Sequence, residues 1–411
     1  MRVLILVDCY YPSLKSSAKL VHDLGAEFVA SGHEVIVATP GATSGTPLQV
    51  SVEDGITVAR FRFGDIKSAP RLLRAVYEMQ LSPKFWRVGR TFFRENRCDL
   101  IVYYSPSIFF GSLVRKLKGL WNCPAYLILR DIFPQWAVDA GVLRKGVAYS
   151  YFRHKELELY AAADVIGVQS PASLCYFEEQ WPGRYRLEVL YNWTKLREEG
   201  LPVTDYRRCL GLESKTVFFY GGNIGVAQNM DSILRLAENL HQRDDVYFLL
   251  VGEGSEVSRL NEDVAARRLR NLKILPGVSQ GEYLAMVSEF DVGLISLDRR
   301  LCTHNFPGKL LGYMYWGLPI LASINPGNDL QPVIERASAG LCCLDGDDRQ
   351  LLEHATMLAD NAEFRRRMGR NSRALLESVF SVNAAAKQIL TSVERTTETT
   401  PFAASMSAGE S

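Results

Sequence analysis

The sequence predicts an α/β fold with two Rossmann-like domains, whose parallel sheets face each other across a cleft. Its 411 residues exceed what one hydrophobic core usually holds and suit two. Apolar strand patterns alternate with amphipathic helix patterns, which is typical of parallel sheets. The alternation occurs twice, and the stretch between the two runs has no clear period. We therefore predict a first domain at 1–191, a linker at 192–205 and a second domain at 206–378.

The first domain begins with a βαβ pattern. Residues 18–30 carry apolar side chains at helical spacing, and Gly32 ends that helix. Asp54-Gly55 predicts a hairpin turn, and Ser105-Pro106 predicts the start of a further helix. Strands are predicted at 3–7, 33–38, 100–104, 126–129 and 165–168.

The second domain repeats the alternation, and the chain then changes character. Strands are predicted at 217–220, 247–251, 272–275, 291–296 and 319–322. A C-terminal helix at 379–394 is expected to return towards the first domain. The segment 395–411 is rich in Thr, Ser, Ala, Gly and Glu, which predicts a disordered tail.

Composition excludes several classes of protein. A net charge of +1 gives no overall field for nucleic acid, so no nucleic-acid partner is expected. The eight cysteines show no zinc-ligand spacing and no C-x-x-C pair, which favours a reducing compartment. The N-terminus does not resemble a signal peptide, and no apolar run approaches the ~20 residues of a membrane span. We expect a cytoplasmic protein.

A glycine-rich turn is the first candidate site. In open parallel sheets, ligands bind beyond the carboxyl ends of the strands. Residues 221–225 follow a predicted strand and precede a helix, so the backbone at Gly222, Asn223 and Gly225 could approach a phosphate. The spacing is neither G-x-G-x-x-G nor a P-loop. A tight turn that binds nothing is the alternative.

The run His304 to Lys309 is the second candidate site. Gly308 offers bare backbone, and Lys309 places a positive charge where a helix begins. Because the helix dipole disfavours lysine there, a bound diphosphate would explain it. A lysine that points to solvent is the alternative, and His304 could serve catalysis or cap the helix. Asn305 lies in the same run.

Polar residues also follow the predicted strands of the first domain. Ser105 ends one strand, and Arg130 and Asp131 end the next. They could bind a substrate hydroxyl or phosphate, or Arg130 and Asp131 could form a structural ion pair. No metal site is expected, because the acidic residues 345–348 lead into a helix and suit N-capping better than a divalent ion.

The segment 67–97 has the strongest local charge bias. Aromatic and aliphatic side chains interleave with its basic residues, which predicts contact with an anionic membrane surface. A solvated helix face is the alternative, and a nucleic-acid site is a third interpretation with no other support. The basic residues are Lys67, Arg71, Arg74, Lys84, Arg87, Arg90, Arg94 and Arg97.

Several longer runs resemble a known family. The chain is similar to the family 4 glycosyltransferases of the GT-B fold over nearly its whole length, and within them to the WbuB group of O-antigen N-acetyl-L-fucosamine (L-fucosamine) transferases. The general marks are GHEV at 32–35, GEG at 252–254, PGV at 276–278 and GLPI at 317–320. The closer match is carried by YYSPSIF at 103–109, LILRDIFPQWAVDAG at 127–141, FFYGGNIG at 218–225 and HNFPGKLLGYM at 304–314.

The resemblance implies a retaining, metal-free sugar transfer. A UDP-sugar donor would bind the second domain, and an undecaprenyl-diphosphate-linked acceptor would bind the first, at the inner face of the cytoplasmic membrane. Lys309, His304 and Asp131 would form the catalytic set. The implied donor-binding residues are Gly222, Asn223, Gly225, Glu253, Pro276, Gly277, Val278, Asn305, Gly308 and Lys309. The implied acceptor-binding residues are Lys15, Ser16, Lys19, Ser105 and Arg130.

The sequence departs from the family at one pair of positions. Many members carry two glutamates where this chain has His304 and Gly312, and they carry basic residues near Asn223 and Gln228. Because of this departure, we expect Lys309 to neutralise most of the negative charge of the bound diphosphate. Two other hypotheses stay open: a nucleotide-sugar 2-epimerase, and a non-catalytic partner of a polysaccharide assembly complex.

Overall fold

Two parallel-sheet units make up the chain in a computed structural model. The structure describes residues 1–13, 15–41, 45–63, 77–105, 107–139, 143–197, 200–301 and 306–398. One unit contains Met1–Thr194 together with the helix that begins at Val382, and the other is Lys195–Ser381. The boundary therefore falls within the aperiodic stretch 192–205.

The first unit is built on an eight-stranded sheet in the order β3-β4-β2-β1-β5-β6-β7-β8. All neighbours pair in parallel except β3 and β4, which form the predicted antiparallel hairpin around Asp54-Gly55. The strand order reverses between β1 and β5, which makes their carboxyl ends the ligand-binding position of such a sheet. The strands are β1 Arg2–Leu6, β2 Glu34–Gly41, β3 Leu48–Glu53, β4 Ile56–Arg62, β5 Leu100–Tyr104, β6 Ala125–Leu129, β7 Val165–Val168 and β8 Leu187–Val189.

Helices cover both faces of this sheet, because its central strands are apolar on both sides. β5 and β6 are buried at every position. One face packs on an aromatic core that includes Phe61, Phe85, Phe93 and Phe110. The helices are α1 Ser16–Ala30, α2 Leu81–Glu95, α3 Gly111–Trp121, α4 Gln135–Asp139, α5 Val147–Ala162 and α6 Pro171–Gln180.

Helix α3 begins later than the sequence predicts. Ser105-Pro106 was expected to start it, but the helix starts at Gly111. The reason is a contact from another helix: the Ser82 hydroxyl in α2 donates to the Phe109 carbonyl at 2.5 Å and accepts from the Leu113 N–H at 3.2 Å. A distant side chain thus satisfies the first turn of the helix.

The second unit has a six-stranded parallel sheet in the order β11-β10-β9-β12-β13-β14. This is the strand order of a doubly wound nucleotide-binding sheet, and it reverses between β9 and β12. The strands are β9 Thr216–Gly221, β10 Val246–Val251, β11 Leu272–Leu275, β12 Val292–Ser296, β13 Ile320–Ile324 and β14 Gly340–Leu344. The helices are α7 Tyr206–Cys209, α8 Asp231–Asn239, α9 Val257–Ala266, α10 Gln280–Val287, α11 Lys309–Tyr315, α12 Leu330–Arg336, α13 Asp348–Asp360 and α14 Ala362–Leu375.

The last described helix, α15 Val382–Glu398, belongs to the first unit. Its buried residues Ile389 and Val393 pack into the core on the α1 side of the sheet. Disorder was predicted from 395, and that limit is wrong, because the helix continues to Glu398. The segment 399–411 of the predicted tail lies outside the described residues.

Candidate functional site

The candidate site lies where the strand order of the second sheet reverses. The turn 221–225 follows β9, and Lys309 at the start of α11 reaches the same point. Tyr313 of α11 joins the two central strands there: its hydroxyl accepts from the Gly221 N–H at 3.2 Å and donates to the Leu294 carbonyl at 3.1 Å. The buried tyrosine therefore fixes the carboxyl ends of β9 and β12 to one helix.

The amides of the glycine-rich turn are mostly occupied. Gly222 N–H donates to Val251 O at 2.9 Å, and Ile224 N–H donates to Glu253 O at 2.8 Å. Gly225 N–H donates to the side-chain oxygen of Gln228 at 3.1 Å. The N–H groups of Gly222 and Gly225, at which backbone contact with a phosphate was expected, are therefore already hydrogen-bonded within the protein.

Within the turn as the structure describes it, Asn223 N–H is the amide for which no acceptor is found. The exposed Asn223 side chain donates to Gln228 at 2.8 Å. An anion here would therefore depend on a side-chain cation more than on a ring of amides.

The glycines at 252 and 254 let two loops touch. A Cβ on Gly252 would lie 1.8 Å from the Gly222 carbonyl oxygen, and one on Gly254 would lie 2.1 Å from the Ile224 carbonyl oxygen. Backbone thus packs on backbone, which only glycine allows at such distances. The loop after β10 holds the glycine-rich turn in place.

Lys309 supplies the cation. Its Nζ lies 3.4 Å from the centroid of the Tyr220 ring, and its side-chain end would lie 3.4–3.6 Å from a Cβ placed on Gly222. The residue is half-buried, and burial lowers the pKa of its ammonium to about 7. Across the described residues, no carboxylate forms a salt bridge with Lys309. In the described part of the chain, the Lys309 ammonium therefore lies beside the turn without a carboxylate partner.

The loops after β10 and β11 meet beside the turn. The exposed Glu253 side chain lies against Gly277, where a Cβ would be 3.2 Å from Glu253 Cγ. Pro276 is exposed and Val278 half-buried. The structure thus brings Glu253 together with the predicted loop 276–278.

In the first unit, Ser105 and Arg130 lie at the predicted strand ends. Ser105 is fully buried, and its N–H donates to Ile128 O at 3.0 Å. The Arg130 guanidinium donates to the carbonyls of Leu190 at 2.5 Å and Tyr191 at 3.2 Å. It holds the chain beyond β8 rather than facing outward.

Asp131, Lys15, Ser16 and Lys19 are the other predicted site residues of the first unit. Burial raises the pKa of the Asp131 carboxyl above its ordinary value, and the nearby Arg130 guanidinium offsets only part of that rise. Lys15 is exposed just before α1, and Lys19 pairs with Asp23 at 2.8 Å. Ser16 begins α1, and the structure describes its backbone but not its side chain.

Helix α2 carries the described part of the basic segment. Its aromatic residues were interpreted as part of a membrane face, but Phe85 and Phe93 are buried in the core, stacked near Phe61. That interpretation of Phe85 and Phe93 is wrong. The exposed side of the helix carries Arg87, Arg90 and Arg94, with Arg97 exposed just beyond it.

Some predicted residues lie outside the described part of the chain. They are His304, Asn305, Lys67, Arg71 and Arg74.

Asp347, in the acidic run 345–348, caps a helix, as predicted. The Asp347 side chain accepts from the Gln350 N–H at 3.0 Å at the start of α13. Asp345 is buried and accepts two bonds from Asn229, at 2.8 and 2.7 Å. Within the residues that the structure covers, no group of three His, Cys, Asp or Glu is placed to hold a metal ion. Among the described helices, none has the length and apolar character needed to span a membrane.

Sequence reasoning missed two tyrosines of this site and named Gln228 only as a departure from the family. Tyr220 and Tyr313 flank the turn, and Gln228 bonds to it. Tyr220 directly precedes the GG pair and Tyr313 follows Lys309 by about one helical turn, but strand and helix patterns explain both residues equally well.

Two family profiles cover most of the chain. The profile described as "Glycosyl transferase 4-like domain" matches residues 17–193, and the one described as "Glycosyl transferases group 1" matches 204–375. Each profile falls on one of the two sheet units. The chain is a glycosyltransferase of the GT-B type.

Similar proteins come from bacteria. A Pseudomonas aeruginosa protein named as a glycosyltransferase, WbjE, is 25% identical over 228 residues, which cover 54% of this chain and 56% of that protein. The chain thus spans about half the length of that relative. The Escherichia coli (strain K12) protein WcaI, named as a colanic acid biosynthesis glycosyl transferase, is 22% identical over 86% of this chain and 90% of its own length.

Solved structures share the fold. The structure of Anabaena HepE in complex with UDP-glucose matches with a TM-score of 0.60 and 16% identity, over 96% of this chain and 100% of that one. At this identity the likeness concerns the fold.

Proposed function

We propose that the glycosyltransferase uses a UDP-sugar donor, whose diphosphate binds at Lys309 and the turn 221–225. The supporting observation is the half-buried Lys309 ammonium, which has no carboxylate partner among the described residues and lies where the strand order of a doubly wound sheet reverses. A nucleoside diphosphate is the expected ligand at such a point. The similarity to HepE, whose structure holds UDP-glucose, supports this choice of donor.

Lys309 would act mainly on the leaving group. When the bond between the sugar and the diphosphate breaks, negative charge builds up on the diphosphate oxygens. A half-buried cation stabilises that charge more strongly than an exposed one, because less water screens it. The diphosphate in turn raises the lowered pKa of Lys309, so donor binding and protonation of the lysine support each other.

We further propose a retaining transfer without a metal ion, in which the acceptor hydroxyl attacks on the face from which UDP leaves. The enzyme would chiefly position the two substrates and stabilise the diphosphate. The acceptor would be an undecaprenyl-diphosphate-linked sugar of surface polysaccharide assembly. The relative named for colanic acid biosynthesis supports this class of acceptor. The resemblance of the sequence runs to L-fucosamine transferases makes N-acetyl-L-fucosamine the proposed donor sugar.

A donor panel tests the proposal. The purified protein is incubated with UDP-N-acetyl-L-fucosamine, UDP-N-acetylglucosamine, UDP-glucose and the corresponding GDP-sugars, with lipid-linked acceptor present. We expect UDP release and a glycosylated lipid with the first donor. Turnover restricted to GDP-sugars would refute the proposed donor class, and epimerised nucleotide sugar without transfer would favour the epimerase.

The exposed side of α2 is proposed to meet the anionic membrane surface where the lipid-linked acceptor resides. Arg87, Arg90 and Arg94 are exposed on one helix, and no acidic partner of theirs is found among the described residues. Each basic residue near such a surface contributes about 1 kcal/mol of attraction. The contact would be electrostatic, because Phe85 and Phe93 are buried in the core.

Vesicle sedimentation tests this surface. The triple change of Arg87, Arg90 and Arg94 to Gln is expected to lower binding to anionic vesicles, and more so at low salt. The matched control changes three exposed arginines of the second unit, Arg349, Arg366 and Arg370, to Gln. Equal binding by both triple variants would refute the proposed surface.

A further inference from the structure

Tyr220 contacts both parts of the candidate diphosphate site. It is the penultimate residue of β9 and is fully buried. Its hydroxyl donates to the Asn223 carbonyl at 2.6 Å, across the glycine-rich turn. The face of its ring lies 3.4 Å from the Lys309 Nζ. One side chain therefore joins the turn to the cation.

The ring is the main electrostatic partner of the ammonium in the described structure. An aromatic face attracts a cation through its quadrupole, and the attraction strengthens away from water. The titratable groups that interact with the Tyr220 phenol are Tyr283 of α10 and Tyr313 of α11. Burial raises the pKa of both phenols, so neither carries charge at neutral pH. The ring thus opposes the loss of charge that burial promotes in Lys309.

We infer that Tyr220 is a positioning residue for the donor diphosphate, with one role for each part of its side chain. The ring holds the Lys309 ammonium charged and beside the turn, and the hydroxyl fixes the turn through Asn223. This inference rests on the proposed function, since it assumes that a diphosphate binds at Lys309. Tyr220 would act through Lys309 and Asn223.

Two substitutions separate the two roles. Tyr220→Phe keeps the ring and removes the bond to Asn223, so UDP affinity should fall about fivefold at every pH. Tyr220→Leu also removes the ring, so the charged form of Lys309 becomes less favourable. The pH above which UDP affinity declines should then move down by about 0.7 pH unit, equivalent to a further fivefold loss at high pH.

Titration of UDP by calorimetry between pH 5.5 and 8.5 gives these values, with Lys309→Ala measured in parallel. That variant reports how much of the pH dependence comes from ionisation of UDP itself. Phe218→Leu is the matched control, because it removes a buried ring from the same strand and the same core. The control should keep the wild-type pH midpoint even where its melting temperature falls.

The outcomes distinguish this inference from the proposed function. UDP binding that depends on Lys309 but shows the wild-type pH midpoint in Tyr220→Leu would overturn the role of the ring. Wild-type affinity in Tyr220→Phe would overturn the role of the hydroxyl. Failure of the wild-type protein to bind UDP would instead refute the proposed function itself.

Discussion

Replacing Gly252 by alanine should displace the glycine-rich turn. The new Cβ would lie 1.8 Å from the Gly222 carbonyl oxygen. An ordinary contact of this kind is about 3.3 Å, so the loops must separate by about 1.5 Å. Such a shift breaks the bond from Gly222 N–H to Val251 O, which is 2.9 Å long.

The cost follows from that displacement. Overpacking and one lost hydrogen bond should destabilise the second unit by about 2 kcal/mol, or about 4–8 °C in melting temperature. A misplacement of about 1 Å at a reacting group can slow a reaction on the order of 100-fold, and we expect a loss of this size in sugar transfer.

Thermal melts and transfer assays measure the two effects. Gly281→Ala is the matched control, because its Cβ would meet no atom closer than Pro202 Cδ at 3.8 Å. It should keep wild-type stability and activity. If Gly252→Ala behaves like this control, the contact between the two loops does not shape the site.

Four other predictions concern three side chains and the absence of a metal ion from the reaction. Lys309→Met should abolish transfer yet raise the melting temperature by about 2–4 °C, because it removes a charge that burial disfavours. Folding lowers the pKa of Lys309 from its ordinary value to about 7, so the wild-type free energy of unfolding should rise with pH above 7. The extra stability of Lys309→Met should therefore be largest below pH 7 and shrink towards pH 10. A pH-independent difference between the two proteins would contradict this. Arg130→Met should lower the free energy of unfolding, measured by urea denaturation, by about 2–3 kcal/mol, because it removes hydrogen bonds to the Leu190 and Tyr191 carbonyls. Asp131→Asn should lower the rate of sugar transfer and leave the free energy of unfolding unchanged. EDTA should leave transfer intact, and a loss that magnesium restores would refute the metal-free mechanism.

Local patterns in the sequence predict most of the fold. Continuous apolar runs such as 100–104 coincide with the observed strand Leu100–Tyr104, because burial on both faces leaves little choice of structure. Asp54-Gly55 predicts its hairpin, because this signal acts within a few residues.

Long-range contacts account for what the sequence did not predict. The start of α3 depends on Ser82, which lies on another helix. Val393, near the end of α15, is buried in the core of the first unit, and the polar composition of the segment does not show this contact. In the site, the pattern GGNIG predicts an open turn, but its amides bond to the loop after β10. The contact of Lys309 with Tyr220 joins residues far apart in the chain, so no local pattern could reveal it.

Calorimetric titration with UDP shows whether the donor diphosphate binds at Lys309. We expect micromolar binding by the wild-type protein and affinity weakened about 10–100-fold in Lys309→Ala, since a hydrogen bond to a charged group is removed. Equal affinity of the two proteins would place the diphosphate away from Lys309. No binding of UDP, GDP or TDP by the wild-type protein would contradict the proposed donor site and favour a non-catalytic role.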